Sequence, residues 1–409
     1  MKILFISFPF PWPLDSGARQ RRYHLVQELA RRHEVTLLTL LPRDRPEEES
    51  TPCPVDDLCK RVIEIDVTRV LPVEAPLSRW QSIARNSKRL LTESLPRVVQ
   101  RWQRPALINI FRSVYRSDDF DAVWVDRYYF GEVARRAGIP RFVVDVDDVE
   151  SVALARSLRA SEWRRAHVFH YAELGKLRCY ERTVPRRFWR AVVCKEQDRF
   201  LFSSSRHRVY VVPNGIAEQP LAPSQREQAG EILFIGTLDY RPNIDAVHYF
   251  HGSVFPDLQQ QSPGCRFQIV GRNPMPEVLQ FHDGASVFVH GNVPNITPHY
   301  ETAAVVVAPI RLGSGTRLKV LEALGRGKAL VATSTAIEGL ELRPGIDVEV
   351  ADDSRAFSRV CARLLASPQE RRQLGLAGRQ RVAERYGWSR IGRIAEEALT
   401  PAGREAVCV

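Results

Sequence analysis

The chain has no apolar run near the roughly 20 residues that a helix needs to cross a bilayer. Its opening segment, residues 1–17, is apolar, but three prolines interrupt it and no small-residue cleavage pattern follows. This composition predicts a first buried strand rather than a signal peptide. We therefore expect a cytoplasmic protein.

Cysteine occurs without any pattern that would indicate a bridge or a metal. The seven cysteines are scattered, odd in number, and form no CxxC pair or Cys/His set with zinc spacing. We therefore expect free thiols in a reducing compartment and no metal site. The first predicted strand is not followed by GxGxxG, so a dinucleotide-binding dehydrogenase has no support. The sequence also lacks tandem repeats and low-complexity tracts.

Positive charge, by contrast, is in excess and unevenly placed. The net charge is +11, and residues 79–116 carry nine Lys and Arg against one acid, Glu93, with aromatic residues between them. A second basic, aromatic-bearing stretch covers residues 156–190. Both stretches suit an anionic membrane surface, here the inner face of the cytoplasmic membrane, and a solvated helix face produces the same pattern. No nucleic-acid-binding module is recognisable, so we expect no nucleic-acid partner.

Length and element order predict two α/β domains. The 409 residues fit two domains of about 200, and strand-like apolar runs alternate with helical periodicity along the chain. A stretch rich in Pro, Gly, Ser and Gln indicates a connection. The predicted division is an N-terminal domain (1–210), a linker (211–230), a C-terminal domain (231–385) and a final helix (386–409) that packs back on the N-terminal domain.

The most informative segment is residues 308–341. A strand-like run ends in a Gly-rich turn at 313–316, and a helix then opens with Arg317, Lys319 and Glu322. Unpaired backbone N–H groups and the helix dipole favour an anion at such a turn. Two cations beside it indicate a diphosphate, and the carboxylate suits the hydroxyls of a ribose or sugar, so the segment predicts a nucleotide-sugar site. An ordinary βαβ crossover with a basic helix is the alternative.

Motifs along nearly the whole chain carry a family resemblance. In the N-terminal half these are DSGARQRRYHLVQELARRHEVTLL, VVDVDDVES and VVPNGI. In the C-terminal half they are ILFIGTLDYRPNIDAVHYF, FQIVGRNP, the segment from VHGNVPN to AIEGLE, and ERYGWSRIG. The chain resembles the family 4 glycosyltransferases. The resemblance implies the α/β GT-B fold, in which two Rossmann-like doubly wound domains face a cleft, the first binding the acceptor and the second the nucleotide-sugar donor.

The resemblance assigns Glu322 to the second glutamate of the family's E-x7-E motif, which binds the donor ribose. The first glutamate of that motif is replaced by Ser314. We therefore expect the contacts to the donor sugar to pass to the backbone N–H groups of Gly315 and Thr316. The amides of the whole turn, from Gly313 to Thr316, would stabilise the leaving diphosphate.

The phosphate-binding residues also depart from the family pattern. Thr237 and Pro242 stand where many members carry an Arg and a Lys on the donor phosphates. The resemblance then leaves Arg317 and Lys319 as the main phosphate clamp, with Arg241 as a helper.

Three further positions match the family's donor site. Gly17 matches the N-terminal glycine loop, whose missing side chain lets the phosphates approach the backbone. Gly236 follows the first strand of the C-terminal domain, and the backbone around Asn292 and Val293 stands where the family holds the base. Gly236 and Gly271 as plain strand ends, and Gly17 as a plain loop glycine, are the alternatives.

The resemblance implies a retaining hexosyltransferase of bacterial surface polysaccharide assembly. Its donor would be UDP- or GDP-linked, and its acceptor a glycan or a polyprenyl-diphosphate-linked saccharide. In front-face displacement the diphosphate leaves as the acceptor hydroxyl arrives on the same side, so Arg317 and Lys319 would stabilise the leaving group. Asp148, or Asp147, would orient the hydroxyl, with capping of a helix near Ser151 as the alternative. No metal or other cofactor is expected.

Two other functions remain open on the sequence. A sugar-nucleotide 2-epimerase has the same architecture, but GSGTRLKVLE is not its usual signature. A glycan- or membrane-binding relative without turnover is suggested by Thr237, Pro242 and Ser314, whereas the intact Lys319 and Glu322 oppose it.

Overall fold

A computed structural model describes residues 1–8, 10–14, 16–41, 54–71, 93–160, 167–218, 221, 226–313 and 318–400. The chain forms two compact units, which we call the first unit (Met1–Pro213 with Trp388–Val409) and the second unit (Asn214–Gly387). The boundary therefore lies at Pro213, and most of the predicted linker, 211–230, belongs to the second unit.

A parallel sheet of seven strands forms the centre of the first unit, in the order β3-β2-β1-β4-β5-β6-β7. Nearly every residue of its inner strands is buried because helices cover both faces. The order reverses between β1 and β4, where a doubly wound sheet forms its ligand crevice. The strands are β1 Lys2–Ser7, β2 Glu34–Leu41, β3 Arg61–Asp66, β4 Ala122–Asp126, β5 Val143–Asp147, β6 Arg190–Val193 and β7 Val209–Val211.

Helices pack on both faces of this sheet and enclose two separate apolar cores. A 3₁₀ helix, Phe200–Arg208, leads into β7. The α-helices are α1 Gly17–Ala30, α2 Pro54–Leu58, α3 Val67–Val70, α4 Arg97–Trp102, α5 Pro105–Arg116, α6 Tyr128–Ala137, α7 Glu150–Ala160, α8 His167–Glu181, α9 Val184–Arg187 and α10 Glu196–Arg199.

The second unit repeats the plan with six parallel strands in the order β10-β9-β8-β11-β12-β13, so its reversal lies between β8 and β11. The strands are β8 Glu231–Ile235, β9 Arg266–Gly271, β10 Val287–Gly291, β11 Val305–Ala308, β12 Leu330–Ala332 and β13 Glu349–Val350. The helices are α11 Arg241–Tyr249, a π-helical turn Phe250–Val254, α12 Phe255–Gln261, α13 Pro276–Leu279, α14 Thr297–Thr302, α15 Leu318–Gly325, α16 Ser354–Ala366 and α17 Pro368–Tyr386. The predicted pair of doubly wound α/β units is confirmed.

The last described helix, α18 Trp388–Leu399, returns to the first unit and packs on α1. The indole of Trp388 stacks on the ring of His24 at 5.0 Å. The guanidinium of Arg190, at the start of β6, donates to the carbonyls of Glu397, Ala398 and Thr400. These bonds satisfy carbonyl groups that the end of the helix leaves unpaired. Among the described helices, none is both long and apolar enough to span a membrane.

Helix α17 approaches the end of α15 so closely that only glycine fits. A Cβ on Gly375 would lie 2.0 Å from the carbonyl oxygen of Gly327, which has a φ of +73°. The first contact partner is backbone, so no side-chain rotation relieves the clash. Contact between α15 and α17 therefore depends on Gly375.

We expect Gly375→Ala to destabilise the second unit by about 1–3 kcal/mol, the usual cost of overpacking a fixed interior contact. Gly252→Ala is the matched control, because nothing lies within 4 Å of a Cβ there. Thermal unfolding followed by circular dichroism measures both variants. Equal melting temperatures for Gly375→Ala and the wild type would show that the two helices separate at little cost.

Candidate functional site

The loops after β8, β9 and β10 are hydrogen-bonded into one surface at the carboxyl edge of the second sheet. The amide of Leu238 donates to Arg272 O at 2.7 Å, and the amide of Asn292 donates to Gly271 O at 2.8 Å. A Cβ on Gly271 would lie only 1.7 Å from Gly236 O. Close packing against the backbone of Gly236 therefore requires glycine at position 271.

Lys319 is positioned at this edge by a specific set of contacts. Its Nζ donates to Asn243 Oδ1 at 2.6 Å and lies 4.5 Å from the centroid of the Phe234 ring. Asn243 Nδ2 in turn donates to Thr237 O at 2.8 Å. A Cβ on Gly236 would lie 2.7 Å from Lys319 Nζ. The structure thus brings two predicted site residues, Gly236 and Lys319, together at the switch point between β8 and β11.

Asn243 was not among the predicted site residues, although it orients the ammonium group of Lys319. It lies in the first turn of α11 and is buried. Arg241, the predicted helper, begins the same helix and is exposed. Pro242, which replaces the family's Lys, lies in the same turn. No sequence pattern, however, indicated the contact between Asn243 and Lys319.

Glu322 lies on α15, one turn beyond Lys319, and is half-buried. Burial, together with the nearby Glu322 carboxylate, raises the pKa of Tyr300 well above its ordinary value. The guanidinium of Arg326 lies 4.8 Å from the centre of the Tyr300 ring. Among the described residues, the Tyr300 hydroxyl has no hydrogen-bond partner. Glu322 is thus a partly exposed carboxylate beside a buried, neutral phenol.

The predicted Gly-rich turn is described only at its two ends. Gly313 is buried with a φ of +95°, a left-handed conformation that favours glycine, and α15 begins at Leu318. Val293, the predicted base contact, is half-buried and packs against the core of the second unit. The other predicted members of the turn and clamp lie outside the described residues, namely Ser314, Gly315, Thr316 and Arg317.

In the first unit, Gly17 is the first residue of α1 and is exposed. Its predicted contact with the donor phosphates stays a prediction. Ser16 is the N-cap, since its side chain accepts a hydrogen bond from Arg19 N, and serine is a preferred residue there.

A network of buried ion pairs occupies the carboxyl edge of the first sheet. Arg21 donates to both carboxylate oxygens of Asp145, at 2.9 and 3.1 Å. Arg127 NH2 lies 2.8 Å from an oxygen of Asp147, and the Cys194 thiol donates to the other oxygen at 3.2 Å. Asp147 and Arg127 both have a positive φ, 56° and 66°. The backbone here is held in a strained form by paired side chains.

The environment of Asp147 suits a structural ion pair rather than an acceptor contact. Burial alone would raise its pKa, but the guanidinium groups of Arg127, Arg21 and Arg22 lower it to about 2. Asp148, the predicted acceptor-orienting residue, is half-buried and interacts with other groups of the protein. Of the two aspartates, Asp148 remains the candidate for that role.

The start of α7 is capped by a carboxylate that was not predicted. Glu181 Oε1 accepts from the amide of Ser151 at 3.1 Å and from the hydroxyl of Tyr128 at 3.5 Å. Within the described residues, Glu181 Oε2 is buried without a partner. Burial raises the pKa of Glu181 to about 7, although the hydrogen bonds from Ser151 act in the opposite direction. A carboxyl group that is partly neutral near pH 7 thus lies just beyond β5.

In the part of the chain that the structure describes, no group of three or more His, Cys, Asp or Glu side chains is arranged to hold a metal ion. The basic stretch 79–116 is described only from residue 93 onward. Its role at a membrane surface therefore stays a prediction.

Comparison with known sequences finds a family model that matches most of the second unit. Residues 229–367, which include Gly236, Lys319 and Glu322, match the family Glycosyl transferases group 1. An uncharacterized 44.6 kDa protein in the cps region of Klebsiella pneumoniae is 24% identical over 136 residues. That alignment covers 31% of this chain and 35% of the relative, so it spans about a third of the relative's length.

Solved structures resemble the whole chain. Sucrose-phosphate synthase from Thermosynechococcus elongatus has a TM-score of 0.68 at 16% identity, over 97% of both chains. TarM has a TM-score of 0.69 at 9% identity, over 98% of this chain and 99% of that chain. Anabaena HepE in complex with UDP-glucose has a TM-score of 0.63 at 13% identity, over 97% and 99%. These likenesses show the GT-B fold, and with the family match they support a glycosyltransferase.

The raised pKa of Glu181 predicts that Glu181→Gln stabilises the chain more at pH 8 than at pH 5. The native carboxyl keeps its proton up to about pH 7, whereas the ordinary value is 4.5. Wild-type stability therefore falls as pH rises between these values, because the unfolded state releases its proton first. The side-chain amide of glutamine does not titrate, so the stability of the variant does not fall in this pH range for that reason.

The expected difference between the two pH values is about 2 kcal/mol, measured by urea unfolding. Replacement of the exposed Glu384 on α17 by Gln is the control. The same stability change for Glu181→Gln at pH 5 and pH 8 would contradict a carboxyl that is protonated when folded.

Proposed function

We propose that the chain is a retaining, family 4-like glycosyltransferase of the hexosyltransferase type. It moves a sugar from a nucleotide-diphosphate donor to a hydroxyl of a glycan or lipid-linked acceptor in surface polysaccharide biosynthesis. The observation that carries the proposal is the Lys319 ammonium, held by Asn243 against Gly236 at the switch point of the second sheet. A fixed cation at this position suits a diphosphate.

The proposed donor is UDP- or GDP-linked, and two structural neighbours favour UDP. HepE is described in complex with UDP and with UDP-glucose, and an S. aureus TarM variant in complex with UDP. Glu322, half-buried one turn after Lys319, is the proposed partner of the ribose hydroxyls. A carboxylate accepts such hydrogen bonds with both oxygens.

The proposed reaction is a front-face displacement. The bond from the anomeric carbon to the diphosphate oxygen breaks while the acceptor oxygen bonds to the same face, and a donor phosphate oxygen takes the acceptor proton. Lys319, with Arg317, stabilises the negative charge that develops on the leaving diphosphate. Asp148 orients the acceptor hydroxyl. In this scheme the protein's cations meet the phosphate charge, so we propose a reaction without a metal.

The donor site is tested by thermal shift of the purified chain with UDP, GDP, ADP and their sugars, each with and without EDTA. Mass action stabilises the protein by RT ln(1 + [L]/Kd), so a ligand at about 100 times its Kd adds about 2.7 kcal/mol. We expect one nucleotide series to raise the melting temperature, with the same shift in EDTA. If no nucleotide shifts the transition, the donor site is wrong, and a shift abolished by EDTA would contradict a metal-free site.

For Lys319→Ala we expect kcat to fall by about 10²–10³, the cost of removing one preorganised charge-stabilising donor. Lys319→Met, which keeps the packing over Phe234, should show a similar loss. Lys60→Ala removes a surface ammonium that pairs with Glu34 and serves as the control with wild-type turnover. Release of the nucleoside diphosphate measures all three variants. Wild-type turnover in both Lys319 variants would exclude this lysine from the reaction.

A further inference from the structure

The loops after β9 and β10 contain a backbone conformation that few side chains adopt. Among the described residues, four that are not glycine have a positive φ, namely Arg127, Asp147, Asn273 and Asn292. All four lie at or just beyond the carboxyl ends of strands, and the two asparagines, with φ values of 51° and 55°, belong to the second unit. Such conformations persist where the surrounding structure holds them, and they collect at ligand sites. The two asparagines thus indicate a functional constraint at this edge of the second sheet.

Asn292 is attached to the loop after β9 at two points. Its amide donates to Gly271 O at 2.8 Å, and its side-chain oxygen Oδ1 accepts from the amide of Asn273 at 2.9 Å. Two hydrogen bonds made by one residue fix both the position and the rotation of the peptide group that follows it. The direction of the chain at Val293 is therefore set by the contacts of Asn292.

The side chain of Asn273 extends this contact to the loop after β8. Its Nδ2 donates to Asp239 Oδ2 at 3.0 Å. One chain of hydrogen bonds therefore joins Asp239, Asn273 and Asn292 across the ends of three neighbouring strands. All three residues are exposed, and water satisfies exposed polar groups, so burial does not require these bonds. Their effect is to select one arrangement of the three loops.

The loop that begins at Asn292 leads to α14 and is also held farther along the chain. Val293 packs against the core of the second unit, and Asn295 Oδ1 accepts from the amide of Thr297 at 2.9 Å, where α14 begins. The family resemblance places the nucleotide base against the backbone at residues 292 and 293. Hydrogen bonds weaken steeply as their angle departs from linear, so a base held by backbone groups depends on the orientation of this loop.

We propose that Asn273 is a positioning residue for the nucleotide base of the donor. It holds Asn292 with its amide and Asp239 with its side chain, and it thereby fixes the peptide groups at residues 292 and 293 that face the base. The identity of this ligand rests on the proposed function, whereas the anchoring of the loop does not. The diphosphate is assigned to Lys319 on α15, so binding of the base and binding of the diphosphate are separable.

Glycine variants separate the hydrogen bonds from the backbone conformation, because glycine adopts a positive φ without strain. Asn292→Gly removes the acceptor Oδ1, whereas Asn273→Gly removes the bond to Asp239 and keeps the amide that donates to Asn292. We expect the Kd of UDP to rise about tenfold in Asn292→Gly and about threefold in Asn273→Gly, the range that single hydrogen bonds contribute. The Kd of inorganic diphosphate, which has no base, should keep its wild-type value in both. Titration calorimetry on the full chain measures both ligands.

Two further variants serve as controls. Asn292→Asp keeps an oxygen that accepts from the amide of Asn273, and aspartate also tolerates a positive φ. The ratio of its two Kd values should stay close to that of the wild type, because the added charge acts on both anionic ligands. Asn109 is an exposed asparagine on α5 that accepts from Arg112 of the same helix, and Asn109→Ala should change neither Kd. The melting temperature of each variant verifies its folding.

Hydrogen–deuterium exchange without ligand tests the anchoring of the loop by itself. Local opening sets the exchange rate of each amide, so the segment 291–296 should exchange faster in both glycine variants than in the wild type. Its rate in Asn292→Asp should match the wild type after correction for intrinsic rates. Asn273→Gly is the stricter case, because the substitution lies outside the segment that is measured.

Either of two results would overturn the proposal. The first is an unchanged Kd of UDP in both glycine variants, and the second is an equal rise in the Kd of UDP and of inorganic diphosphate, which would indicate a general loss of structure at this edge. If the wild type binds GDP more tightly than UDP, GDP replaces UDP in every comparison. A wild type that binds neither nucleotide would reject the proposed donor site, and the exchange rates would then decide alone whether the asparagines anchor the loop.

Discussion

Close packing at the carboxyl edge of the second sheet determines where the charged groups of the proposed donor site lie. The carbonyl oxygen of Gly236 occupies the space that a side chain on Gly271 would need. The ammonium of Lys319 occupies the corresponding space beside Gly236. Because backbone atoms and the hydrogen-bonded side chains of Lys319 and Asn243 make these contacts, the loops after β8 and β9 and the start of α15 keep a fixed spacing. The positive charge is therefore preorganised, which is the condition for electrostatic catalysis.

The corresponding edge of the first sheet is organised by buried ion pairs. Removing charges from water is costly, and such pairs persist only when their hydrogen bonds are well satisfied. Arg21 meets this condition with four bonds, two to Asp145 and two to the carbonyls of Val212 and Pro213. Burial raises the pKa of Glu181 to about 7, so the carboxyl is partly neutral near pH 7 and the cost of burying its charge is lower. The two sheets share one topology, yet one edge carries a lysine held by an asparagine and the other a network of paired arginines and aspartates.

Much of the fold follows from local patterns, since continuous apolar runs mark strands buried on both faces and glycines mark their ends. The closeness of Lys319 and Gly236 was predictable because both match positions of a motif, whereas their role in donor binding stays a prediction. Asn243 was not, because its contact with Lys319 joins residues 76 positions apart, and no local pattern encodes that pairing. Gly17 begins α1 because Ser16 caps that helix, and its predicted contact with the donor phosphates stays a prediction.

The return of α18 to the first unit has a consequence for the order in which the protein is made. Trp388 and Ile391 belong to the same apolar core as the residues of β1 and α1, and the carbonyl groups at the end of α18 are held by Arg190. When the ribosome has just added Pro213, the residues of α18 that complete this apolar core have therefore not yet been synthesised. The second unit is contiguous, from Asn214 to Gly387, so during synthesis it is the first of the two to have its whole sequence available.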